Sequence, residues 1–223
     1  MQRLVNSLAG IWWGLVRFGF RLLYNELAFT YDLVSKVVSL GAWPCWQKSA
    51  LKHLVPPGES PVLELAHGTG DLQIELMRSG YATIGYDLSP AMGRITSAKL
   101  RRKGLNPRLV RGMAQRLPFT SGSFAAVVST FPTDFIVAPA TLREVHRVLD
   151  KNGRFIIVLS GMLTGSGFVT RFIEWLYRIT GQRNDEGPLD EVLNHIASFG
   201  FEVEILSETC PRSRVLVVLA QKS

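Results

Sequence analysis

The sequence PVLELAHGTGDL, residues 61–72, predicts a buried strand that passes through a glycine turn into a helix. Its apolar start favours a strand of a parallel sheet, and Gly68 and Gly70 allow a tight turn because glycine has no Cβ. In α/β proteins, nucleotide-like ligands bind at the turn between the first strand and its helix, since free backbone N–H groups face it. The stretch therefore predicts an α/β fold with a ligand site at this turn.

Acidic residues and one departure from a known motif narrow the chemistry of the ligand. The dinucleotide-binding fingerprint requires a third small residue, but this chain has Gln73 at that position. Asp71 places a carboxylate at the helix N-terminus, where it would repel a pyrophosphate, and Glu64 adds another near the strand end. A second apolar strand ends at Asp87, about 20 residues after the turn, the spacing at which a carboxylate binds ribose hydroxyls. These features favour a nucleoside that carries positive charge, such as a sulfonium compound.

Five short segments extend this pattern along the chain. They are ELAHGTGD at 64–71, YDLS at 86–89, GMAQRLPF at 112–119, FAAVVST at 124–130, and LREVHRVL at 142–149, which leads to Gly153. In order and spacing they resemble the class I S-adenosyl-L-methionine (SAM) methyltransferases, in particular the methyltransferase type 11 domains and the UbiE-type quinone methyltransferases. One glycine turn alone would be weak evidence for this family, whereas five motifs in the same order are specific to it.

The resemblance implies a doubly wound, Rossmann-like α/β sheet of seven strands in the order 3-2-1-4-5-7-6, preceded by an N-terminal helical extension. It implies SAM as the cofactor and methyl donor, and it requires no metal ion. The residues that it implies for cofactor binding are Glu64, Ala66, His67, Gly68, Thr69, Gly70, Asp87, Leu88, Met92, Met113, Ala114, Gln115 and Thr130.

Three residues depart from the family pattern and leave a second hypothesis open. Met113 stands where the family often has an acidic or amide side chain against the adenine amino group. The adenine ring would then be recognised by the backbone of Met113 and Ala114 and by the side-chain amide of Gln115. Ala66 replaces a motif glycine, and Ala125 replaces a common aspartate. A membrane-attached scaffold that keeps the fold but has lost turnover is therefore an alternative to an enzyme.

Alternating strand and helix patterns predict one methyltransferase domain over residues 56–223, closed by two antiparallel strands. Residues 1–55 are expected to form amphipathic helices, among them helices over 24–40 and 43–54. The apolar segment 165–185 is predicted to be a helical insert. It would cover an apolar substrate, contact a membrane or pack on the core.

Residues 1–30 combine tryptophan, phenylalanine and leucine with arginines on one narrow helical face. A membrane-spanning helix is disfavoured because Arg17 and Arg21 would lie inside it, each at a cost of roughly 2.5 to 3.5 kcal/mol. An in-plane helix would keep these arginines among lipid headgroups, and a helix docked on the protein's own core is the equal alternative. No signal-peptide cleavage pattern follows, and abundant tryptophan with little serine argues against a transit peptide.

The sequence offers only weak candidates for a general base, which direct methyl transfer needs only when the acceptor arrives protonated. They are His67 in the turn, Asp134 after the fourth predicted strand, and Tyr31. The resemblance places Tyr31 and Asp32 in a segment that closes over the methionine end of SAM. Helix capping is an alternative role for Asp134, as packing is for Tyr31. Thr130 is implied to lie near the cofactor.

The charge and the cysteine content limit which partners and which cell compartment are expected. The 223 residues carry a formal net charge of +7, which suggests an anionic partner such as a membrane surface. Basic residues cluster between Asp87 and Asp134, where they could bind anionic lipid headgroups or RNA phosphates, although a solvated helix face is the simpler interpretation. RNA is disfavoured because no aromatic side chains lie among them over 94–116. Cys45 and Cys210 have no CxxC partner and are expected to be reduced thiols. The protein is expected to be cytoplasmic, either in solution or bound peripherally to the membrane.

The expected function is SAM-dependent methyl transfer to a small apolar or lipid-like acceptor, such as a quinone precursor, at a membrane surface. The alternatives are the inactive scaffold and an RNA methyltransferase. The acceptor atom and the oligomeric state do not follow from the sequence, because the segments expected to select the acceptor carry no chemical motif.

Overall fold

The computed structural model describes residues 27–164 and 189–223 and six single helical positions, which are 14, 18, 19, 22, 171 and 173. Seven strands form one sheet in the order β3-β2-β1-β4-β5-β7-β6, which confirms the predicted doubly wound topology. The strands are β1 (Val62–Leu65), β2 (Thr83–Asp87), β3 (Leu109–Arg111), β4 (Phe124–Thr130), β5 (Leu149–Leu163), β6 (Phe201–Cys210) and β7 (Ser213–Lys222).

Six α-helices with described bounds surround the sheet. They are α1 (Tyr31–Val38), α2 (Trp43–Lys48), α3 (Asp71–Arg78), α4 (Pro90–Arg102), α5 (Pro139–Val148) and α6 (Leu189–Ala197). Three short 3-10 helices lie at Ala28–Thr30, Ser49–His53 and Asp134–Val137. The start of α4 follows the sequence signal, because Ser89 Oγ caps the helix by accepting a hydrogen bond from the Met92 N–H.

Strand direction explains where the functional residues meet. The neighbouring strands among β1 to β5 pair in parallel, and β7 pairs antiparallel with both β5 and β6. β1 is buried along its whole length, as expected for a central parallel strand covered on both faces. The carboxyl ends of β1, β2 and β4 lie at one edge of the sheet, where ligands bind in doubly wound folds.

The two faces of the sheet bury separate apolar clusters. Val127 of β4 packs in one cluster with Leu142 of α5, whereas Val128 packs in the other with Leu72 of α3 and Trp46 of α2. Alternate residues of a strand point to opposite faces, so both clusters follow from the apolar run in β4. The N-terminal helix α2 is therefore part of the core of this domain.

Three elements differ from their predicted bounds. The helix predicted over 24–40 includes the 3-10 helix Ala28–Thr30 and continues as α1 only to Val38. The helix predicted over 43–54 changes to 3-10 geometry after Lys48. β5 extends beyond its apolar centre to Leu163, because β7 provides backbone partners out to Ser213. Sequence periodicity located these elements but not their ends.

The two cysteines are bonded to each other, so the prediction that they are reduced is wrong. Cys45 on α2 and Cys210 at the end of β6 form a disulfide, with their Cα atoms 6.0 Å apart and a sequence separation of 165 residues. Trp46 brings α2 to this corner of the sheet, because its indole is buried there and donates from Nε1 to Ser213 Oγ at 2.9 Å. Gly161 of β5 makes room for the indole, since a Cβ there would overlap the ring.

Within the described ranges, no helix is long and apolar enough to cross a bilayer. Most of the predicted amphipathic helix over 1–30 and nearly all of the predicted insert over 165–185 lie outside these ranges. Both segments therefore stay predictions, as does the division of the chain at residue 55.

Candidate cofactor and acceptor site

The turn between β1 and α3 has an open backbone with three left-handed residues. Ala66, Gly68 and Gly70 have positive φ angles of 56°, 54° and 83°. Glycine is required at position 70, because a Cβ there would overlap the side chain of Thr96 on α4. A Cβ at Gly68 would meet no atom within 4 Å, so this part of the backbone faces open space. A ligand can therefore approach the turn closely.

Asp87 lies at the mouth of this turn. Its Oδ2 accepts a hydrogen bond from the Gly68 N–H at 3.0 Å, and its Oδ1 accepts one from the Ser89 N–H at 2.8 Å. The carboxylate thereby joins the ends of β1 and β2. A carboxylate offers about four lone-pair sites, so each oxygen of Asp87 retains capacity for a further donor. The residue can fix the turn and still accept hydrogen bonds from ligand hydroxyls.

Glu64 is buried beneath the turn in a chain of hydrogen bonds. Gln73 Nε2 donates to Glu64 Oε2 at 2.7 Å, and Thr83 Oγ1 donates to Gln73 Oε1 at 2.6 Å. Burial raises the pKa of Glu64 to about 8, although the hydrogen bond from Gln73 opposes the rise. The negative charges of Asp87 and Asp71 contribute to the raised pKa. Glu64 is therefore mostly a neutral acid at pH 7, and its part in cofactor binding stays a prediction.

Glu64→Gln is expected to stabilise the protein at high pH. The pKa of Glu64 is about 8 in the folded protein against an ordinary value of 4.5, so between these values the folded protein holds a proton that the unfolded chain releases. The contribution of Glu64 to stability is then greatest below pH 4.5, falls as the pH rises through this window and levels off above pH 8. The loss amounts to roughly 4–5 kcal/mol, and the neutral amide of the Glu64→Gln variant would avoid it.

Thermal melts of both proteins between pH 5 and pH 9 measure this difference in stability. The gap between the two melting temperatures should widen as the pH rises. Glu202→Gln, at an exposed position of β6, is the matched control and should melt like the native protein at every pH. Melting curves of Glu64→Gln that stay parallel to those of the native protein would contradict the raised pKa.

His67 is buried within the turn and bonded to its backbone. Its Nδ1 lies 2.9 Å from the Gly68 carbonyl oxygen, which also accepts a hydrogen bond from Thr96 Oγ1 at 2.7 Å. Burial lowers the pKa of the His67 imidazole, against the opposing effect of the Asp87 charge. The neutral ring therefore supports the turn from the side of α4.

The residues predicted as weak candidates for a base lie in separate places. His67 packs toward β2, where a Cβ at Gly85 would lie 3.0 Å from its ring. Asp134 follows β4, on the other side of β1, and is an exposed residue of a 3-10 helix that makes no side-chain capping bond. The ring of Tyr31 packs edge-on against Trp43, with 6.2 Å between centroids. The structure does not bring the three together, and each role as a base stays a prediction.

The N-terminal segment is attached to the turn through Asp32 on α1. Asp32 Oδ1 accepts a hydrogen bond from the Thr69 hydroxyl, and Oδ2 accepts one from Lys99 Nζ at 2.6 Å. Lys99 also donates to Asp71 Oδ1 at 2.8 Å. Burial alone would lower the pKa of Lys99, but the hydrogen bonds to both carboxylates outweigh burial and raise it. One lysine against two carboxylates leaves net negative charge beside the turn, which suits a cationic ligand.

Sequence reasoning missed the role of Lys99, which it assigned to a solvated basic face. Lys99 follows Met92 by seven residues and Thr96 by three, a helical spacing that places it on the face of α4 near the turn. Met92, which was predicted to bind the cofactor, is buried against Ala28 and Ala91. In the structure, Met92 packs the N-terminal segment against α4.

Two exposed apolar side chains follow β2 and β3 at the same edge of the sheet. Leu88 is 59% exposed and Met113 is 56% exposed. The Tyr86 hydroxyl shapes the second turn, because it lies 3.3 Å from the carbonyl oxygens of Met113 and Arg116. A Cβ at Gly112 would overlap this hydroxyl, so glycine is required there. The two apolar side chains would gain from covering a flat ring.

The remaining predicted residues lie near these turns with different exposure. Ala114 is buried, whereas Gln115 and Thr130 are half-buried. Over the part of the chain that the structure describes, no group of three or more His, Cys, Asp or Glu side chains is placed to hold a metal ion.

A pair of stacked aromatic rings stands at the carboxyl end of β4. Trp43 on α2 stacks on Phe131 with 4.2 Å between ring centroids, and Trp46 lies 5.9 Å from the same ring. Phe131 has a φ angle of 51°, a conformation that is unfavourable for a residue with a Cβ and that turns the chain out of the strand. Thr130 immediately precedes it. The pair, which we call the aromatic wall, had no signal in the sequence because its members come from distant segments.

Comparisons with known proteins agree with this architecture. A family model described as a methyltransferase domain matches residues 62–153. The demethylmenaquinone methyltransferase of Thermus thermophilus is 33% identical over 139 residues, which cover 61% of this chain and 63% of that protein. The ubiquinone/menaquinone biosynthesis C-methyltransferase UbiE of Citrifermentans bemidjiense is 31% identical over 144 residues, which cover 62% and 61%. The chain therefore spans about three fifths of the length of these curated relatives.

A solved structure shows the same fold. Geranyl diphosphate C-methyltransferase from Streptomyces coelicolor, in complex with S-adenosyl-L-homocysteine, superposes with a TM-score of 0.62 at 13% identity. The superposition covers 80% of this chain and 79% of that one.

The sheet order, the glycine turn and the match over residues 62–153 all indicate a class I SAM-dependent methyltransferase. The two curated relatives are UbiE-type enzymes, so the comparisons confirm the resemblance seen in the sequence. The family match includes Asp87 and Met113 but not residues 27–54 or Cys210. The attached N-terminal segment and the disulfide therefore lie outside the matched region.

Proposed function

We propose that the protein transfers a methyl group from SAM to an apolar, ring-containing acceptor drawn from a membrane. The observation that carries the proposal is the Asp87 carboxylate beside the open backbone of Gly68, two features that suit a nucleoside cofactor. The names of the relatives, demethylmenaquinone and ubiquinone/menaquinone methyltransferases, support this donor and this class of acceptor.

SAM suits the residues around the turn. Asp87 has lone pairs left to accept the ribose hydroxyls, and the exposed side chains of Leu88 and Met113 would cover the adenine ring. The surplus carboxylate charge around Lys99 favours the ammonium and sulfonium groups. The open space at Gly68 admits the ligand to the backbone. These contacts would hold the cofactor along the carboxyl edge of β1, β2 and β3.

The chain's own task in the reaction is to position the acceptor and to exclude water. Bound SAM supplies both the methyl group and a neutral thioether leaving group. Donor and acceptor then need to be held in line at roughly 3 to 3.5 Å. The aromatic wall of Trp43 and Phe131 gives the acceptor an apolar surface next to Thr130. An apolar, dry pocket favours a reaction in which positive charge is lost.

An exposed apolar stripe before α2 supports a membrane source for the acceptor. Phe29, Leu33 and Val37 recur every fourth residue, and each is more than half exposed. The same segment binds the turn through Asp32, so it would join the lipid side to the cofactor side. The net charge of +7 would add attraction to an anionic membrane.

Incubation of the purified protein with methyl-labelled SAM and a cell lipid extract tests this function. Label is expected in a quinone-type or other apolar component, and the protein should co-sediment with anionic vesicles in the same buffer. Phe131→Ala is expected to raise KM for the acceptor several-fold with little change in SAM affinity, because Phe131 follows β4 whereas the proposed ribose and adenine contacts follow β2 and β3.

Other outcomes favour the other hypotheses. Label in added RNA would favour an RNA methyltransferase. SAM binding with no label in the lipid extract or in RNA would favour the inactive scaffold. Absence of SAM binding would remove the enzyme hypothesis.

A further inference from the structure

A groove of about 600 Å³ lies between α4 and the edge strand β3. His67 and Asp87 lie at its inner end, below the turn. The groove therefore adjoins the proposed cofactor site at these two residues, whereas its part between α4 and β3 has no role in the proposed methyl transfer. Its charge comes from Arg94 and Arg101 on α4 and from Arg111 on β3.

The geometry of α4 and of β3 places the three arginines at the same groove. Arg94 and Arg101 are seven residues apart, two turns of helix, so they lie on the same face of α4. Arg111 lies two residues after Leu109, so both point to the same face of β3. Arg111 Nε also donates to the Leu88 carbonyl oxygen at 3.1 Å, which fixes its guanidinium at the groove.

Within residues 27–164 and 189–223, the positive charge of the groove exceeds the negative charge that faces it. Among the described residues, none of the three arginines forms an ion pair with a carboxylate. Asp87 is the one acid among the groove's lining residues, and its two oxygens already accept hydrogen bonds from Gly68 and Ser89. Three guanidinium groups against one carboxylate leave a surplus that favours an anion.

The uncharged lining narrows the class of anion. Pro107 and Leu109 supply apolar surface beside the arginines, and Ser97 supplies a hydroxyl. Among the described lining residues there is no Phe, Tyr or Trp, so they offer no platform on which nucleic acid bases would stack. Guanidinium groups bind phosphate oxygens in a bidentate manner. The lining therefore fits a phosphate group that carries a small organic substituent.

We infer that the groove between α4 and β3 is a binding site for a phosphate monoester or diester, held by Arg94, Arg101 and Arg111. Pro107 and Leu109 contact the organic part of the ligand. The source of the phosphate is either a soluble phosphate ester or the headgroup of an anionic lipid. The inference does not depend on the proposed methyl transfer.

The test compares two double variants that remove equal charge, one within α4 and one at its C-terminal end. Arg94→Gln with Arg101→Gln removes the groove charge, whereas Arg102→Gln with Lys103→Gln removes two exposed charges outside the groove lining. The probes are glycerol 3-phosphate, measured by calorimetric titration, and vesicles of phosphatidylglycerol or phosphatidylcholine, measured by co-sedimentation. Thermal melts check that both variants fold, and a parallel titration with SAM reports separately on the cofactor site.

The native protein is expected to bind one of the anionic probes saturably and to ignore phosphatidylcholine. The groove variant should weaken that binding at least tenfold, and the control variant should match the native protein. If the groove variant loses glycerol 3-phosphate binding, the ligand is a soluble phosphate ester. If it loses only the binding to phosphatidylglycerol vesicles, the ligand is a lipid headgroup. The inference is overturned if the native protein binds neither anionic probe, if the groove variant binds normally, or if both variants weaken equally.

Discussion

Asp87→Ala is expected to abolish measurable SAM binding, with a rise of at least about 100-fold in the dissociation constant. Hydrogen bonds to a charged acceptor contribute about 1.5–3 kcal/mol each, and the ribose of the cofactor would lose two of them. Each 1.4 kcal/mol corresponds to about tenfold in affinity. The variant also leaves the N–H groups of Gly68 and Ser89 without their present acceptor, so the turn itself loses support. Calorimetric titration with SAM measures the change.

Two controls separate the carboxylate from the fold. Asp87→Asn keeps one carbonyl oxygen to accept from the backbone, so its SAM affinity should lie between those of the native protein and of Asp87→Ala. Asp190→Ala, at an exposed position of α6, should bind SAM like the native protein. A normal dissociation constant for Asp87→Ala in a protein that melts normally would place the cofactor elsewhere.

Loss of the Cys45–Cys210 disulfide is expected to lower the free energy of unfolding by about 5 kcal/mol. The bond joins residues separated by 165 positions, and the chain-entropy model gives a stabilisation of this order for so long a loop. For a chain of this length the melting temperature should fall by about 10–20 °C. Differential scanning calorimetry of the native protein with and without dithiothreitol measures the effect.

The double variant Cys45→Ser with Cys210→Ser is the control for nonspecific effects of the reductant. It should melt at the temperature of the reduced native protein, and dithiothreitol should not change it further. Thiol titration of the native protein in denaturant should find no free thiol. Two titratable thiols in freshly purified protein, or equal melting temperatures with and without reductant, would contradict the bond.

The position of the glycine turn after β1 was predictable because its signals are local, whereas the order of the sheet followed from the resemblance to a known family. The apolar run of β1, the glycines of the turn and the spacing to Asp87 all lie within one short stretch of chain. Strand patterns also predicted the two terminal antiparallel strands. Such signals depend only on neighbours in sequence, so one sequence sufficed to interpret them.

The features that were missed all depend on partners distant in sequence. The aromatic wall joins Trp43 to Phe131, and Lys99 reaches Asp32 across 67 residues. Glu64 was expected at a strand end open to the cofactor, whereas Gln73 and Thr83 close over it in the fold. The disulfide was judged from the absence of a local motif, yet its two halves meet only when α2 packs on the sheet. No periodicity within a helix or strand reports such pairings.

The covalent link between α2 and the β6–β7 hairpin ties the folding of this chain to its biosynthesis. A ribosome that has released Cys45 must add 165 more residues before Cys210 appears. Until then Trp46 lacks its partners in β7, so the nascent chain carries an indole that its finished core would bury. Oxidation of the pair can therefore occur only after β6 is made, and the oxidised form marks chains whose synthesis has passed that point.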